Sequence, residues 1–311
     1  MRIVVLAGGV GGSKLVLGLT RVMDPSDLTM IANTGDDIVM HGLHVSPDPD
    51  ILIYTLSDLV NPETGWGFRD ESFRVAEGLA RYGRPTWFQL GDRDLATHIH
   101  RTAMLKDGAT LSQVIESIRT ALGVGPRILP MSDSPVPTML QTDEGRMHLQ
   151  DYFVRRRCEP RLNGIEFEGA GQAHPAPGVT ESIREADAIV IAPSNPLISI
   201  GPILAVPGIR EALREVRARV MAVCPLVGGK SLKGPSDKMM AELGYDVSAL
   251  GVARLYWDIC STMVIDETDA EESAAIEALG MTPILCPTVM RSLEDKERLA
   301  RSLLRVAESR A

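Results

Sequence analysis

Short, continuous apolar runs alternate along the chain with segments of helical periodicity. The first run, Ile3–Ala7, is followed by a helical pattern over Lys14–Val22 and by a second run at Leu28–Ala32. Apolar runs of strand length without polar alternation are typical of parallel strands covered by helices on both faces. Such runs return later, at Ala188–Ala192, Val220–Cys224, Val264–Asp266 and Pro283–Cys286. The pattern predicts an α/β protein with a Rossmann-like, doubly wound, mostly parallel sheet, whose first unit is a right-handed βαβ.

The middle of the chain has a different pattern. Short alternating stretches at 137–141, 146–152 and 164–168, separated by turn residues, predict antiparallel strands. We therefore predict a nucleotide-binding core with a helical cap over 1–125 and 185–311, and an inserted β-rich segment over 126–184. The predicted helices after the first are 51–54, 71–82, 96–106, 111–122, 209–216 and 292–310.

Composition narrows the possible partners. The 311 residues carry a net charge of −9, and the basic run Arg155–Arg157 stands alone, which argues against nucleic acid as a partner. No apolar run approaches the roughly 20 residues that a membrane span needs, and we expect no signal peptide. Cys158, Cys224, Cys260 and Cys286 are widely spaced. We expect them to be buried free thiols of a cytoplasmic protein.

Four glycines follow the first apolar run, in the sequence GGVGGSK at 8–14. A strand that feeds a glycine-rich loop and then a helix presents backbone N–H groups to an anion. The spacing fits neither the P-loop nor the dinucleotide fingerprint. Gly9, Gly11, Gly12 and Lys14 are therefore candidate ligands of a phosphorylated substrate, and the alternative is a glycine-rich turn without a ligand.

Acidic residues follow the second strand. Asp36 comes directly after it in the sequence Asn33-Thr34-Gly35-Asp36-Asp37, and Asp50 closes the proline-flanked sequence SPDPD at 46–50. Residues just past the carboxyl end of a strand face the ligand crevice of a doubly wound sheet. We interpret Asp36 and Asp50 as a pair that ligates a metal or accepts a proton. An Asp-rich turn and a helix N-cap are the alternatives.

Two further segments carry polar groups in places suited to a ligand. Asp92 and Arg93 lie at a predicted helix entrance shortly before His98, where they can meet a phosphate or form a local salt bridge. Ser194, Asn195 and Pro196 follow the run at 188–192, in a turn that suits a nucleobase or sugar, or that is only a turn. A second strand, turn and lysine pattern, at 224–233, offers Lys230 and Lys233 to a second phosphate.

With these motifs assembled, the chain resembles the 2-phospho-L-lactate transferase family of coenzyme F-420 biosynthesis. The resemblance spans nearly the whole sequence. The motifs that carry it are GGVGGSK at 8–14, NTGDD at 33–37, HGLHVSPDPD at 41–50, GWG at 65–67, GDRDLATH at 91–98, LPMSD at 129–133, HLQDY at 148–152 and APSNPLISIGPIL at 192–204.

The resemblance implies a magnesium-dependent phosphoryl-group transfer. A guanosine diphosphate ester of a phospho-acid is attacked by the terminal ribityl hydroxyl of a deazaflavin riboside, and GMP leaves. The resemblance implies that residues Gly9 to Lys14 bind the diphosphate and that Asp36 and Asp50 bind magnesium. Phosphate and ribityl oxygens would be oriented by Asn33, Thr34, Asp92 and Arg93. Guanine would be framed by Ser194, Asn195 and Pro196, and the deazaflavin would be bordered by Trp66 and His98. The resemblance also implies a homodimer. It leaves the phospho-acid open among lactate, enolpyruvate and glycerate types.

A regulator that binds uridine-diphosphate sugars is the alternative, since such proteins share the glycine-rich opening strand. In those regulators the acidic pair leads into a run rich in glycine and serine, whereas here it leads into IVMHGLHVSPDPD at 38–50. An NAD-dependent oxidoreductase is excluded by the glycine spacing. The sequence therefore favours the transferase.

Overall fold

The computed structural model of the protein describes residues 1–309. In this range the strands are β1 (Ile3–Ala7), β2 (Leu28–Ala32), β3 (Ile38–Met40), β4 (Leu43–Val45), β5 (Arg127–Pro130), β6 (Thr138–Thr142), β7 (Gly145–His148), β8 (Leu162–Phe167), β9 (Ala188–Ile191), β10 (Val220–Val223), β11 (Leu226–Val227), β12 (Lys230–Ser231), β13 (Thr262–Ile265) and β14 (Thr282–Leu285). The α-helices are α1 (Gly9–Val22), α2 (Pro47–Leu56), α3 (Arg74–Arg81), α4 (Asp94–Lys106), α5 (Leu111–Ala121), α6 (Val179–Glu185), α7 (Gly201–Ala205), α8 (Ile209–Glu215), α9 (Ser236–Glu242), α10 (Ala249–Tyr256), α11 (Ser273–Ala278) and α12 (Leu293–Glu308).

A central parallel sheet confirms the predicted fold class. Within residues 1–309 it has seven strands in the order β14-β13-β10-β9-β1-β2-β5. The strand order reverses between β1 and β9, so the crevice beyond their carboxyl ends is the expected ligand position. Strand β5 falls inside the range predicted as an insert, yet it pairs with β2 as a sheet edge. The division into core and insert otherwise stays a prediction.

The sheet separates two hydrophobic cores. Along β1, Ile3, Val5 and Ala7 face a core shared with α1, α2, α5 and α12, whereas Val4 and Leu6 face a core shared with α6 to α11. This alternation follows from the two-residue repeat of a strand, and burial on both faces explains why the strand has no polar position. Helix α1 packs closely on α12. Glycine at position 18 allows this approach, because a Cβ there would overlap the carbonyl of Lys296.

The first helix begins earlier than predicted. Gly8 is its extended N-cap residue and α1 begins at Gly9, so the glycines at 11 and 12 are helical rather than part of a loop. Glycine is a poor helix former, but the position needs it: a Cβ at Gly11 would overlap the carbonyl oxygen of Pro193. The glycines thus let α1 approach the segment after β9.

The remaining elements match the prediction in part. Strands β7-β6-β8 form the expected antiparallel sheet. The end of the stretch predicted over 146–152 is not extended, since β7 ends at His148 and a π-helical turn covers Asp151–Arg155. The hairpin of β3 and β4 was not predicted. The predicted end of the last helix at Arg310 lies outside the described residues. In residues 1–309 no helix is both long and apolar enough to cross a membrane.

Candidate active site

A cavity of about 780 Å³ lies where the carboxyl ends of the central strands meet. Segments after β1, β2, β9, β10 and β14 line it, together with α2 and α4. This is the crevice that the strand order indicates. The cavity is therefore the candidate binding and catalytic site.

One wall of the cavity lies between β1 and β9, where the strand order reverses. Hydrogen bonds join the segments that follow these two strands. The hydroxyl of Ser194 donates to the carbonyl of Gly8 over 2.7 Å. The N–H of Gly9, at the start of α1, donates to Oδ1 of Asp48 over 2.8 Å. A carboxylate is therefore bound at the helix N-terminus, which is the position that favours an anion.

Two carboxyl groups share one amide in the cavity. Nδ2 of Asn33 donates to Oδ1 of Asp36 and to Oδ2 of Asp48, both over 2.8 Å. Asn33 is itself fully buried, and its Oδ1 accepts the N–H of Gly35. The amide thus holds the end of β2 against the start of α2 and brings Asp36 and Asp48 together.

The pKa values of this pair are displaced upward. Burial raises the pKa of Asp48 to about 6, although the bonds from Asn33 and Gly9 oppose the rise. Burial and then repulsion from Asp48 raise the pKa of Asp36 well above its usual range. Neighbouring Asp37, whose carboxylate accepts the Ser46 hydroxyl over 2.7 Å, also has its pKa raised by burial. Ionising these groups together is costly, because they lie in a low dielectric and repel one another.

Asp50 lies at the first turn of α2 and forms an ion pair with the buried guanidinium of Arg101. Proline at the first helical position and acidic residues in the first turn both favour a helix start here. Burial raises the pKa of Asp50, and Arg101 and His98 act against that rise. Oδ2 of Asp50 has no hydrogen-bond partner among the described residues. One oxygen is therefore held by Arg101, and the other is buried without a hydrogen bond from the described residues.

Helix α4 places three polar groups on one face. Asp94, His98 and Arg101 are spaced by four and three residues, so their side chains lie side by side. Nε2 of His98 is 3.2 Å from Oδ2 of Asp94, whose Oδ1 accepts the hydroxyl of Tyr54 over 2.6 Å. Burial works to raise the pKa of Asp94, but these two partners outweigh it and leave the pKa lowered.

The structure brings most of the predicted site residues to the cavity wall. The lining residues among them are Gly9, Gly11, Lys14, Asp36, Asp50, Trp66, His98, Ser194, Asn195 and Lys233. Nζ of Lys14 donates to the carbonyl of Met290, and Lys233 to that of Thr64. Oδ1 of Asn195 accepts the N–H groups of Leu197 and Ile198, so this side chain already stabilises its own turn.

Other predicted residues are not in the lining. Asp92 accepts the N–H groups of Arg74 and Val75 and so caps α3. The guanidinium of Arg93 donates to the carbonyl of Arg69 and stacks on Phe68. These two residues hold the segment before α4, in keeping with the local structural alternative. The others outside the lining are Gly12, Asn33, Thr34, Pro196 and Lys230.

Two groups at this site were not predicted from the sequence. Asp48 lies in the proline-flanked sequence at 46–50 and bonds both Gly9 and Asn33. Arg101 was not considered, although its position three residues after His98 places it on the same helix face. The i to i+3 spacing is the signal that identifies Arg101, whereas the contacts of Asp48 depend on the fold.

Comparisons with known proteins identify the family of this chain. A family model described as 2-phospho-L-lactate transferase CofD matches residues 3–284. The chain belongs to this family. A phosphoenolpyruvate transferase of Streptomyces griseus is 46% identical over 99% of both chains, and a 2-phospho-L-lactate transferase of Methanothermobacter thermautotrophicus is 41% identical over 97% of both. The CofD-family protein is therefore a transferase enzyme of coenzyme F-420 biosynthesis.

A crystal structure supports the fold independently of close sequence similarity. A member of the UPF0052 family from Bacillus halodurans superposes with a TM-score of 0.67, covering 97% of this chain and 98% of that one. The two sequences are 18% identical. At that level the likeness shows the fold alone, and the activity rests on the family.

Proposed function

We propose that this CofD-family transferase moves a phospho-acid from its guanosine diphosphate ester to the terminal ribityl hydroxyl of 7,8-didemethyl-8-hydroxy-5-deazariboflavin. The hydroxyl oxygen forms a bond to the ester-side phosphorus, the bond from that phosphorus to the bridging oxygen breaks, and GMP leaves. In such phosphoryl-group transfers, positioning and neutralisation of charge supply most of the catalysis.

The carboxyl groups in the cavity fit a magnesium ion. Asp36 and Asp48 share a single amide, and Asp50 has an oxygen without a partner among the described residues. In residues 1–309 no three His, Cys, Asp or Glu side chains form a complete metal-binding group, but magnesium is commonly held by one or two carboxylates with phosphates and waters. We propose Asp36 and Asp50 as its ligands, with Asp48 adding negative charge. Bound magnesium would neutralise the diphosphate and stabilise the departing GMP.

The chain's own groups then have distinct roles. The N-terminus of α1 lies at the diphosphate, as helix N-termini do for anions. Gly11 offers its N–H group there, whereas the N–H group of Gly9 is bonded to Asp48. The ammonium groups of Lys14 and Lys233, which line the same cavity, add positive charge there. Asp36 or Asp50 accepts the proton of the attacking hydroxyl. The half-exposed Trp66, at the rim, offers a flat apolar surface to the deazaflavin.

One structural observation supports the proposal in addition to family membership. Buried carboxyl groups whose pKa values are raised lie in the same cavity as the helix N-terminus and two lysines. Perturbed acids inside a cleft are typical of functional sites. The helix N-terminus and the lysines suit a diphosphate, and the carboxyl groups suit a hydroxyl that must lose its proton.

The test is a transfer assay with product mass as the readout. Purified protein is incubated with the deazaflavin riboside, magnesium, and guanylated phospholactate, guanylated enolpyruvyl phosphate or guanylated phosphoglycerate in turn, each of which is GMP joined to the phosphate of the acid. We expect GMP and a deazaflavin product with at least one donor, and loss of both with Asp50→Ala although that variant still folds. Asp258→Asn, which removes a largely buried carboxylate outside the cavity, is expected to keep its activity.

Two outcomes would contradict the proposal. Full activity of Asp50→Ala with an unchanged magnesium requirement would remove Asp50 from the site. Tight binding of a uridine-diphosphate sugar without any transfer would favour the regulatory alternative.

The donor and the assembly are separate questions within the proposal. The relatives named above are called phosphoenolpyruvate and 2-phospho-L-lactate transferases, so these two acids are tried first. We also propose that the protein is a homodimer, which light scattering of the purified chain tests directly.

A further inference from the structure

Arg101 has no exposed surface, although it carries a permanent charge. Its side chain is 0% exposed, and it extends from the middle of α4 towards the cavity-lining residues of α2. Arginine is almost never fully buried unless it is paired. What it pairs with therefore indicates why it is there.

Arg101 has three partners, and two of them, Asp50 and His98, lie in the cavity wall. Its Nη2 bonds Oδ1 of Asp50, and its Nη1 lies 3.1 Å from Nδ1 of His98. Nη1 is also 3.4 Å from the carbonyl of His44, in β4. Among the described residues Nε has no partner. The guanidinium is therefore fixed on the side that faces Asp50 and His98.

These contacts determine the arrangement of both partners. Arginine has only donors, so Nδ1 of His98 must accept its hydrogen bond. The proton of the neutral ring then lies on Nε2, the nitrogen 3.2 Å from Asp94. For Asp50, one oxygen is taken by Arg101, and the other, 3.9 Å from Nδ1 of His98, makes no hydrogen bond within residues 1–309.

We propose that Arg101 is a positioning residue for the transfer reaction: it fixes the carboxylate of Asp50 and the ring tautomer of His98 from behind the cavity wall. The inference rests on the proposed function for its catalytic consequence. The geometric part, the tautomer of His98, does not depend on any activity. Both side chains that Arg101 contacts, Asp50 and His98, line the cavity, whereas its third contact is a backbone carbonyl, that of His44.

The first arm of the test compares Arg101→Met with Arg101→Lys. We expect folded Arg101→Met to lose about a hundredfold in kcat, with KM for the donor nearly unchanged, because small misplacements of reacting groups cost this much. Arg101→Lys keeps a cation beside Asp50 without the fork of donors, so it should recover part of the loss. The control is Arg210→Met, which removes the bidentate pair with Asp258, outside the cavity lining.

The second arm reads the His98 ring by ¹⁵N NMR in the full chain, with the signal assigned by its loss in His98→Gln. We expect a protonated Nε2 and a bare Nδ1 in the wild type, and a mixture of tautomers in Arg101→Lys. The opposite tautomer in the wild type would overturn the proposal, even where Arg101→Met does not fold.

Two kinetic results would also overturn it: a kcat of folded Arg101→Met close to that of the wild type, or an equal loss in Arg210→Met. If the wild type transfers nothing, the proposed function is wrong, whereas the NMR result still decides whether Arg101 holds His98.

Discussion

Replacing Asp48 by asparagine should stabilise the metal-free protein. The pKa of this carboxyl group is about 6 in the folded chain against an ordinary value of 3.8, and each pKa unit corresponds to about 1.4 kcal/mol. Ionised Asp48 therefore costs the native state about 3 kcal/mol at neutral pH. The new amide turns one acceptor into a donor facing Nδ2 of Asn33, a loss of about 1 kcal/mol. We expect a net gain of about 2 kcal/mol.

The sign of the pH dependence follows from the raised pKa. The native state holds the proton more tightly than the unfolded chain, so the contribution of Asp48 to stability is full below pH 3.8 and is lost as the pH rises through about 6. Urea unfolding with a chelator present should show Asp48→Asn as the more stable protein at neutral pH. The gain should shrink as the pH falls below about 6 and should vanish below pH 3.8.

Two comparisons make this prediction sharp. Magnesium should stabilise the wild type at neutral pH more than the variant, which has one carboxylate fewer. Asp258→Asn should destabilise the protein at neutral pH. Burial raises the pKa of Asp258, but Arg210 and Arg214 outweigh burial and leave the pKa lowered, so the ionised carboxylate stabilises the fold. An Asp48→Asn protein that is less stable than the wild type at neutral pH with chelator would refute the reasoning.

Three further predictions concern other parts of the site. Gly11→Ala should lose about 1–3 kcal/mol of unfolding free energy in urea, since its Cβ meets the carbonyl of Pro193, whereas Gly78→Ala in α3, with open space around it, should gain up to about 1 kcal/mol. Lys14→Met should weaken GDP binding about tenfold by calorimetry through the loss of one cation at the diphosphate; unchanged affinity would remove Lys14 from the nucleotide site. Binding of the deazaflavin should quench the tryptophan fluorescence of the wild type, and Trp66→Phe should abolish most of that quenching, whereas equal quenching would place the ring elsewhere.

The parallel sheet was predictable because its strands are buried on both faces, which leaves continuous apolar runs such as Ile3–Ala7. Strand β5 escaped prediction because it is a short edge strand that begins with an exposed Arg127 and lies next to a helical segment. The start of α1 was placed too late because glycine is a poor helix former. Tertiary packing against Pro193 overrides that propensity, and no local pattern reveals it.

Some residues of the candidate site could likewise be predicted from the sequence and others could not. Residues after strand ends, such as Asp36 and Ser194, were predictable because topology alone directs them to one crevice. The place of Asp92 and Arg93 outside the cavity lining was not predictable, because a charged pair at a helix entrance suits a ligand and a helix cap equally well. Asp48 needed the distances, since only the fold shows that Asn33 joins it to Asp36.

Anomalous diffraction from crystals soaked with manganese and GDP tests the central claim most directly. The account predicts a manganese peak beside the carboxylates of Asp36 and Asp50, with the diphosphate next to the first turn of α1 at Gly9. A manganese peak away from these carboxylates, or a nucleotide outside the cavity at the carboxyl ends of β1 and β9, would contradict it.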